Sequence, residues 1–274
     1  MSKQTLLAIL AHPDDESFGM GGTLALYASR GVDVHLVCAT RGEVGEVADL
    51  KGHATIAELR EGELRCAAGI LGLAGVHFLD YRDSGMAGSP ENRHPNALAA
   101  QPLEQVAVKV ADCIRKLHPQ VVLTFDPIGG YRHPDHIAIH NATVRAFELA
   151  QGWESDAPQR LYFHTMPHAF LKVAVWLFRL IGKDPRKFGA NRDIDLAAIA
   201  AVSFPIHARI NIRPMLEKKE AAGACHASQG GGRFGGRLAA PLLRLFNGAE
   251  NYMRAFPPVV AQERIEDDLF VCVV

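Results

Sequence analysis

The sequence predicts an α/β fold: a Rossmann-like, mostly parallel sheet with helices on both faces and a C-terminal extension or cap. Three observations carry this reading. Strand-like and helix-like patterns alternate over the first part of the chain. The helical stretches between strands are long enough for the crossover connections that parallel strands require. Charged residues gather where successive strand runs end, the edge at which such sheets bind ligands.

Taken in order, Leu6 to Leu10 is a continuous apolar run and reads as a buried strand. Thr23 to Arg30 is helical and closes on Gly31, after which Val32 to Cys38 is the next strand. Ala54 to Leu71 places Ile56, Leu59, Leu64, Ala67, Ala68 and Leu71 at helical spacing and stops at Gly72. Val76 to Leu79 is a strand, Leu103 to Leu117 a helix, and Val121 to Phe125 a strand. His133-Pro134 opens a helix reaching about Leu149, and Leu161 to Phe163 gives a fifth strand. Beyond it, 183–193 reads as an exposed basic loop, Ile206 to Ile212 as a half-buried strand, Pro214 to Ala227 as a helix and 230–236 as a flexible glycine-rich loop. The whole, 1–274, is expected to be one domain, with a core over 1–164 and a sheet extension and cap over 165–274.

With 274 residues and 48% apolar content the chain can bury a full core. A net charge of −1 provides no long-range field for nucleic acid or an anionic membrane, so neither is expected as a partner. The five cysteines, Cys38, Cys66, Cys113, Cys225 and Cys272, are scattered and read as reduced core residues of a cytoplasmic protein. No run reaches the roughly 20 apolar residues of a membrane span. The longest, Phe170 to Gly182, is interrupted by Lys172 and Arg179 and reads as a buried or lid helix. Oligomeric state is left open, a homo-oligomer included.

The first strand runs into AHPDDESFGMGG, with His12 followed closely by Asp14, Asp15 and Glu16. Adjacent carboxylates are costly to desolvate unless something positive compensates them. The fourth strand ends at Asp126, followed by GGYRHPDH over 129–136, while the second and third deliver Thr40 to Glu43 and Asp80 to Asp83 to the same edge. Glycine spacing fits neither a dinucleotide fingerprint nor a phosphate-binding loop. The two H-P-D segments instead offer metal ligands: if each proline takes a first helical position, His12 and Asp15, and likewise His133 and His136, fall three apart on one face. Two histidines and a carboxylate with an open fourth position make a catalytic zinc arrangement, leaving an acid and a histidine for acid–base work. Helix capping is the plainer reading of any one of these residues, but capping does not need four such groups at two strand ends. Arg60 and Glu61, by contrast, fit a solvated helix face as well as a site.

AHPDDE together with GGYRHPDH resembles the LmbE/PIG-L family of metal-dependent N-acetylglucosaminyl deacetylases. YRDSGMAGSPENRHP and the Lys219 to Gln229 segment are similar in particular to the low-molecular-weight thiol branch, that of mycothiol and bacillithiol. Residue by residue, the resemblance implies that His12, Asp15 and His136 hold zinc, or iron in its place. It makes Asp14 the general base and gives His133 the oxyanion, with Asp135 orienting a protonated His133 and Tyr131 lending a further donor. Arg60 and Asp83 match positions that bind sugar hydroxyls or a polar neighbour. The implied reaction is hydrolysis of the N-acetyl amide of a small amino-sugar substrate. Thiol-conjugate amidases share the scaffold but carry a lysine shortly after the HPDDES run; this chain has Phe18-Gly19-Met20-Gly21 there, which favours the small acetyl group. The alternative from another class is a Rossmann-like sugar or nucleotide binding module whose acids only cap helices.

Overall fold

The strand runs of the first half all enter one sheet in the structure, a computed structural model that describes residues 3–166, 168–188, 194–231, 248–260 and 263–273. In chain order the elements are β1 (Thr5–Leu10), α1 (Asp15–Phe18), α2 (Gly21–Ser29), β2 (Asp33–Cys38), α3 (Ile56–Leu71), β3 (Gly75–Phe78), α4 (Leu103–Leu117) and β4 (Val121–Phe125). They continue with α5 (Gly129–Arg132), α6 (Pro134–Gln151), β5 (Arg160–Thr165), α7 (His168–Leu180), α8 (Leu196–Ala200), β6 (Ala208–Asn211), α9 (Leu216–Cys225) and β7 (Ala249–Phe256). The seven-stranded sheet has the order β3-β2-β1-β4-β5-β7-β6. Its first five members are parallel, whereas β7 runs antiparallel to both β5 and β6.

Each element has a local cause. All six residues of β1 are buried, which is why its sequence is apolar without alternation. Helix α3 starts where the Thr55 hydroxyl accepts the Glu58 N–H, and ends at Gly72 in the left-handed region. Helix α6 begins with Pro134 at its first turn and the His133 ring as its cap. Helices α2, α3 and α9 pack together as one layer, and α4 against α6 as the other. The order of β1 to β4 reverses between β1 and β4, so the crevice above their carboxyl ends is the topological switch point where such sheets bind ligands.

Three expectations need correction. Cys66 on α3 and Cys225 at the end of α9 form a disulfide across a sequence separation of 159. Among the free cysteines only Cys38 is buried, so the reading of five reduced core thiols fails and the cytoplasmic assignment loses that support. Spacing could not show the pairing, because it arises from the packing of α9 on α3. Helix α7 is not simply buried: Leu171 and Val175 are, but Val173, Trp176, Leu177 and Leu180 face outward. Strand β7, unanticipated, lies inside the sheet and carries β6 at its edge. Of the basic loop 183–193, residues 189–193 lie outside the described residues, as do 232–236 of the glycine-rich loop. Among the described residues, no helix is long and apolar enough to cross a membrane.

Candidate active site

Two loops meet at the switch point, one after β1 and one after β4. Pro13 does not open a helix: α1 begins only at Asp15, and Asp14 adopts a positive φ of 123°. This turn, rather than a helical face, brings His12 and Asp15 together. The His12 N–H donates to Asp15 Oδ2 at 2.7 Å, and His12 Nδ1 lies 3.7 Å from the same oxygen. After β4, Asp126 Oδ1 accepts the N–H groups of Ile128 and Gly130 at 3.1 and 2.8 Å. Gly129 has φ 65°, and a Cβ there would meet the Cβ of His136 at 2.7 Å. The tight loop therefore presses His136 into the crevice, where its ring stacks on Phe125 at 3.9 Å between centroids.

His12 Nδ1 and His136 Nε2 are 3.2 Å apart, and His136 Nε2 is 3.3 Å from Asp15 Oδ1. A tetrahedral zinc with ligands at about 2.0–2.2 Å separates its ligand atoms by about 3.3–3.6 Å; these two pairs come close to that range, and the third, His12 Nδ1 to the other Asp15 oxygen, is 3.7 Å. Behind them, His136 Nδ1 faces the Gly129 carbonyl at 3.2 Å, and His12 Nε2 faces Asp135 Oδ2 at 3.1 Å. An oxygen acceptor on the far ring nitrogen is the usual support of a metal-binding imidazole. The cluster extends further: ligand-grade atoms of His12, His133 and His136 lie within 4.8 Å of one another, as do those of His12, Asp83, His133 and Asp135.

Asp135 and His133 are linked otherwise than expected. The Asp135 carboxylate accepts the N–H of Ser84 at 2.9 Å and the Ser84 hydroxyl as well, and reaches His12 rather than His133. His133 is the helix cap: its Nδ1 accepts the Asp135 N–H at 3.1 Å. Tyr131 stands over both histidines, its ring centroid 4.9 Å from that of His136 and 5.9 Å from that of His133. Arg60 is buried beneath the first loop. It donates to the carbonyls of Pro13 at 2.6 Å and Gly42 at 3.0 Å, and to Asp14 Oδ2 at 3.1 Å. Asp83 Oδ1 lies 3.5 Å from His12 Nε2 and accepts the Gly85 N–H at 2.8 Å. The structure thus gathers His12, Asp15, His133, Asp135, His136, Tyr131 and Asp83 in one crevice, and places Arg60 underneath it against Asp14.

Sequence reasoning passed over two supporting groups. One is Ser84. The other is the fully buried pair of Glu16 and His226, 2.7 Å apart, whose Glu16 Oε2 accepts the Asp14 N–H at 3.0 Å. Glu16 was visible in HPDDE and His226 in HASQ, but nothing in the sequence joined positions 210 apart.

Burial dominates the electrostatics. It raises the carboxyls of Asp14 and Asp15 above their ordinary range, although Arg60 pulls Asp14 and His12 pulls Asp15 back. For His12 burial is outweighed by Asp83, Asp135 and Asp15, which lift its affinity for a proton. Burial, followed by the neighbouring His12 and His136, drives His133 down to about 2. The hydrogen bond that the His133 ring accepts from Asp135 is one that a neutral imidazole makes, whereas the resemblance implies a protonated ring. Because its Nδ1 accepts a backbone N–H, its one proton sits on Nε2.

A doubly wound sheet whose switch point gathers buried histidines and carboxylates within ligand distance of one another defines a class: α/β proteins with a His/Asp cluster that could hold a metal ion at the crevice. Within that class, the chain belongs to the GlcNAc-PI de-N-acetylase (PIG-L) family, whose model matches residues 7–147. A 1D-myo-inositol 2-acetamido-2-deoxy-alpha-D-glucopyranoside deacetylase of Acidothermus cellulolyticus is 39% identical over 82% of this chain and 80% of its own length. The crystal structure of a conserved protein from Thermus thermophilus matches with a TM-score of 0.60 and 26% identity, covering 94% of this chain and 98% of that one. The N,N'-diacetylchitobiose deacetylase of Pyrococcus horikoshii matches with a TM-score of 0.61 over 92% of this chain and 84% of its own; at 20% identity this similarity concerns the fold.

Proposed function

We propose that the protein is a zinc-dependent N-deacetylase that hydrolyses the acetamide of an N-acetylglucosamine-containing small molecule to acetate and a free amine. The observation that carries this reading is the His12, Asp15 and His136 set, at separations of 3.2 to 3.7 Å, with Asp14 adjoining it in a chain of this family. The name of the Acidothermus relative favours an inositol-linked N-acetylglucosamine as substrate, a building block of low-molecular-weight thiol synthesis.

His12, Asp15 and His136 would hold the ion. Zinc, or iron in its place, supplies there a lowered water pKa and a polarised acyl oxygen. Asp14, held toward the base-competent range by burial and aimed by Arg60, takes the proton of the attacking water and returns it to the departing amine. His133 donates from Nε2 to the oxyanion as a neutral imidazole, and the Tyr131 hydroxyl adds a second donor. Asp135 keeps both histidines in place, through its carboxylate to His12 and its N–H to His133. Asp83 is assigned to the sugar hydroxyls, whereas Arg60 acts on the reaction through the position of Asp14 rather than on the sugar.

The test is acetate and amine release from N-acetylglucosaminyl inositol, N-acetylglucosamine and diacetylchitobiose, with metal content measured on the same samples. Chelation should abolish turnover, and zinc or iron should restore it. Full turnover by metal-free protein would overturn the mechanism. No acetate from any of the three by metal-loaded protein would favour a binding module instead.

A further inference from the structure

Helix α7 divides its surface three ways. Leu171 and Val175 turn inward onto Ile199 and Ala200 of α8, in a cluster that also packs Tyr131. Val173, Trp176, Leu177 and Leu180 are 54%, 61%, 48% and 61% exposed, and Ile181 just past the helix end is 64% exposed. At about 100° per residue, the four helical members fall within one sector of about 100°. Lys172 and Arg179 border that sector on one side. Lys183, Arg186 and Lys187 continue the positive charge into the following turn, where Arg179, Lys183 and Arg186 line a cleft of about 400 Å³ with Asp184 as its one acid. From 172 to 188 there are five cations and one acid in a chain whose net charge is −1.

We propose that this face docks α7 flat on an anionic lipid bilayer, independently of the reaction assigned above. The helix has 13 residues, too short to span, and an apolar face bordered by cations is the pattern of a helix lying in the interfacial plane. Trp176 is of the residue type that settles at the boundary between headgroups and acyl chains. The flanking cations meet lipid phosphates there, and the Arg179, Lys183 and Arg186 cleft is the place for a headgroup. A second copy suits the face less well, because a two-fold contact would set its cation rows against each other. Docking also places Tyr131, one packing layer behind α7, close to the bilayer. The even net charge of the chain concealed this surface, since its positive charge is concentrated in one short segment.

The test is co-sedimentation of the full-length, metal-loaded protein with vesicles of phosphatidylcholine alone and of phosphatidylcholine mixed equally with phosphatidylglycerol. Binding is expected to the mixed vesicles, weakening with salt, together with a blue shift of Trp176 fluorescence in a Trp153→Phe background. Leu180→Ser with Ile181→Ser, and separately Arg179→Glu with Lys183→Glu, should each reduce binding on the order of tenfold or more. Acetate release from a soluble substrate should be unchanged in both. Failure to sediment with the anionic vesicles overturns the proposal. So does a solution dimer that the Leu180/Ile181 variant converts to monomer, because the face would then belong to a second copy.

Discussion

Asp14 and Asp15 are adjacent yet serve different partners, since the positive φ of Asp14 points its carboxylate at Arg60 while Asp15 faces His12 and His136. Asp14→Asn keeps size and hydrogen bonding but accepts no proton, so metal should be retained while kcat falls by about 10² or more. Asp15→Asn should lose metal, with partial recovery in excess zinc. Metal content measured beside kcat separates the two, and an active, metal-loaded Asp14→Asn enzyme refutes the base assignment. His133 offers a second contrast. As an oxyanion donor its replacement by Ala should cost on the order of 10² to 10³ in kcat with metal retained, whereas His136→Ala should purify depleted of metal. The reverse pattern of metal content would exchange their roles. Asp83→Ala should raise KM more than it lowers kcat, and Arg60→Ala should lower kcat, because Arg60 reaches the site through Asp14.

At the scale of elements, β7 and α9 tie the C-terminal region to the first loop. Glu250 on β7 accepts the N–H groups of Gly22 and Thr23 at 3.0 and 2.8 Å, capping α2 from across the fold, and pairs with Lys219 of α9 at 2.6 Å. Lys219 also donates to the Gly19 carbonyl at 3.0 Å. Glu250→Ala would strand two buried N–H groups and remove the ion pair of Lys219, a loss of about 2–4 kcal/mol, read as a lower urea midpoint with unchanged slope. A midpoint within error of the parent would show that α2 needs no cap. This strand also shows where sequence reading stops. The apolar strands β1 and β4 were legible because burial on both faces produces continuous hydrophobic runs. In β7 the buried positions include the polar Glu250, Asn251 and Arg254, and the partners of Glu250 lie on α2 and α9, so the segment looks like a polar loop. The site divides in the same way. His12, Asp15, His133 and His136 were legible because both motifs follow strands that end at one edge. The placement of Arg60 under Asp14, the Ser84 support of Asp135 and the Glu16–His226 pair depend on helix packing, which leaves no periodic trace.

Over the whole molecule, a disulfide and a buried ion pair are among the links that join the N-terminal half to α9 and the turn after it. The Cys66–Cys225 disulfide closes a loop of 159 residues, for which chain entropy alone gives about 5 kcal/mol against the reduced unfolded chain. Denatured, unreduced protein should therefore titrate as three thiols, Cys38, Cys113 and Cys272, and as five after reduction. Five thiols before reduction would exclude the bridge. The neighbouring Glu16–His226 pair adds a dependence on pH. Burial opposes the charge on both groups, but their mutual hydrogen bond prevails, holding His226 above and Glu16 below their ordinary values. A histidine whose folded pKa is raised contributes stability that is complete below about 6.5 and is lost as pH rises through the folded value. A glutamate whose folded pKa is lowered contributes stability present above about 4.3 and lost as pH falls through the folded value. The pair should therefore stabilise most between about pH 4.5 and 6.5, and less at pH 8. His226→Gln retains a hydrogen-bond donor for Glu16 but cannot titrate, so the difference in unfolding free energy between parent and variant isolates the histidine from Asp14 and Asp15. That difference should be larger at pH 6 than at pH 8 by urea denaturation, and a difference independent of pH would mean that His226 stays neutral beside Glu16.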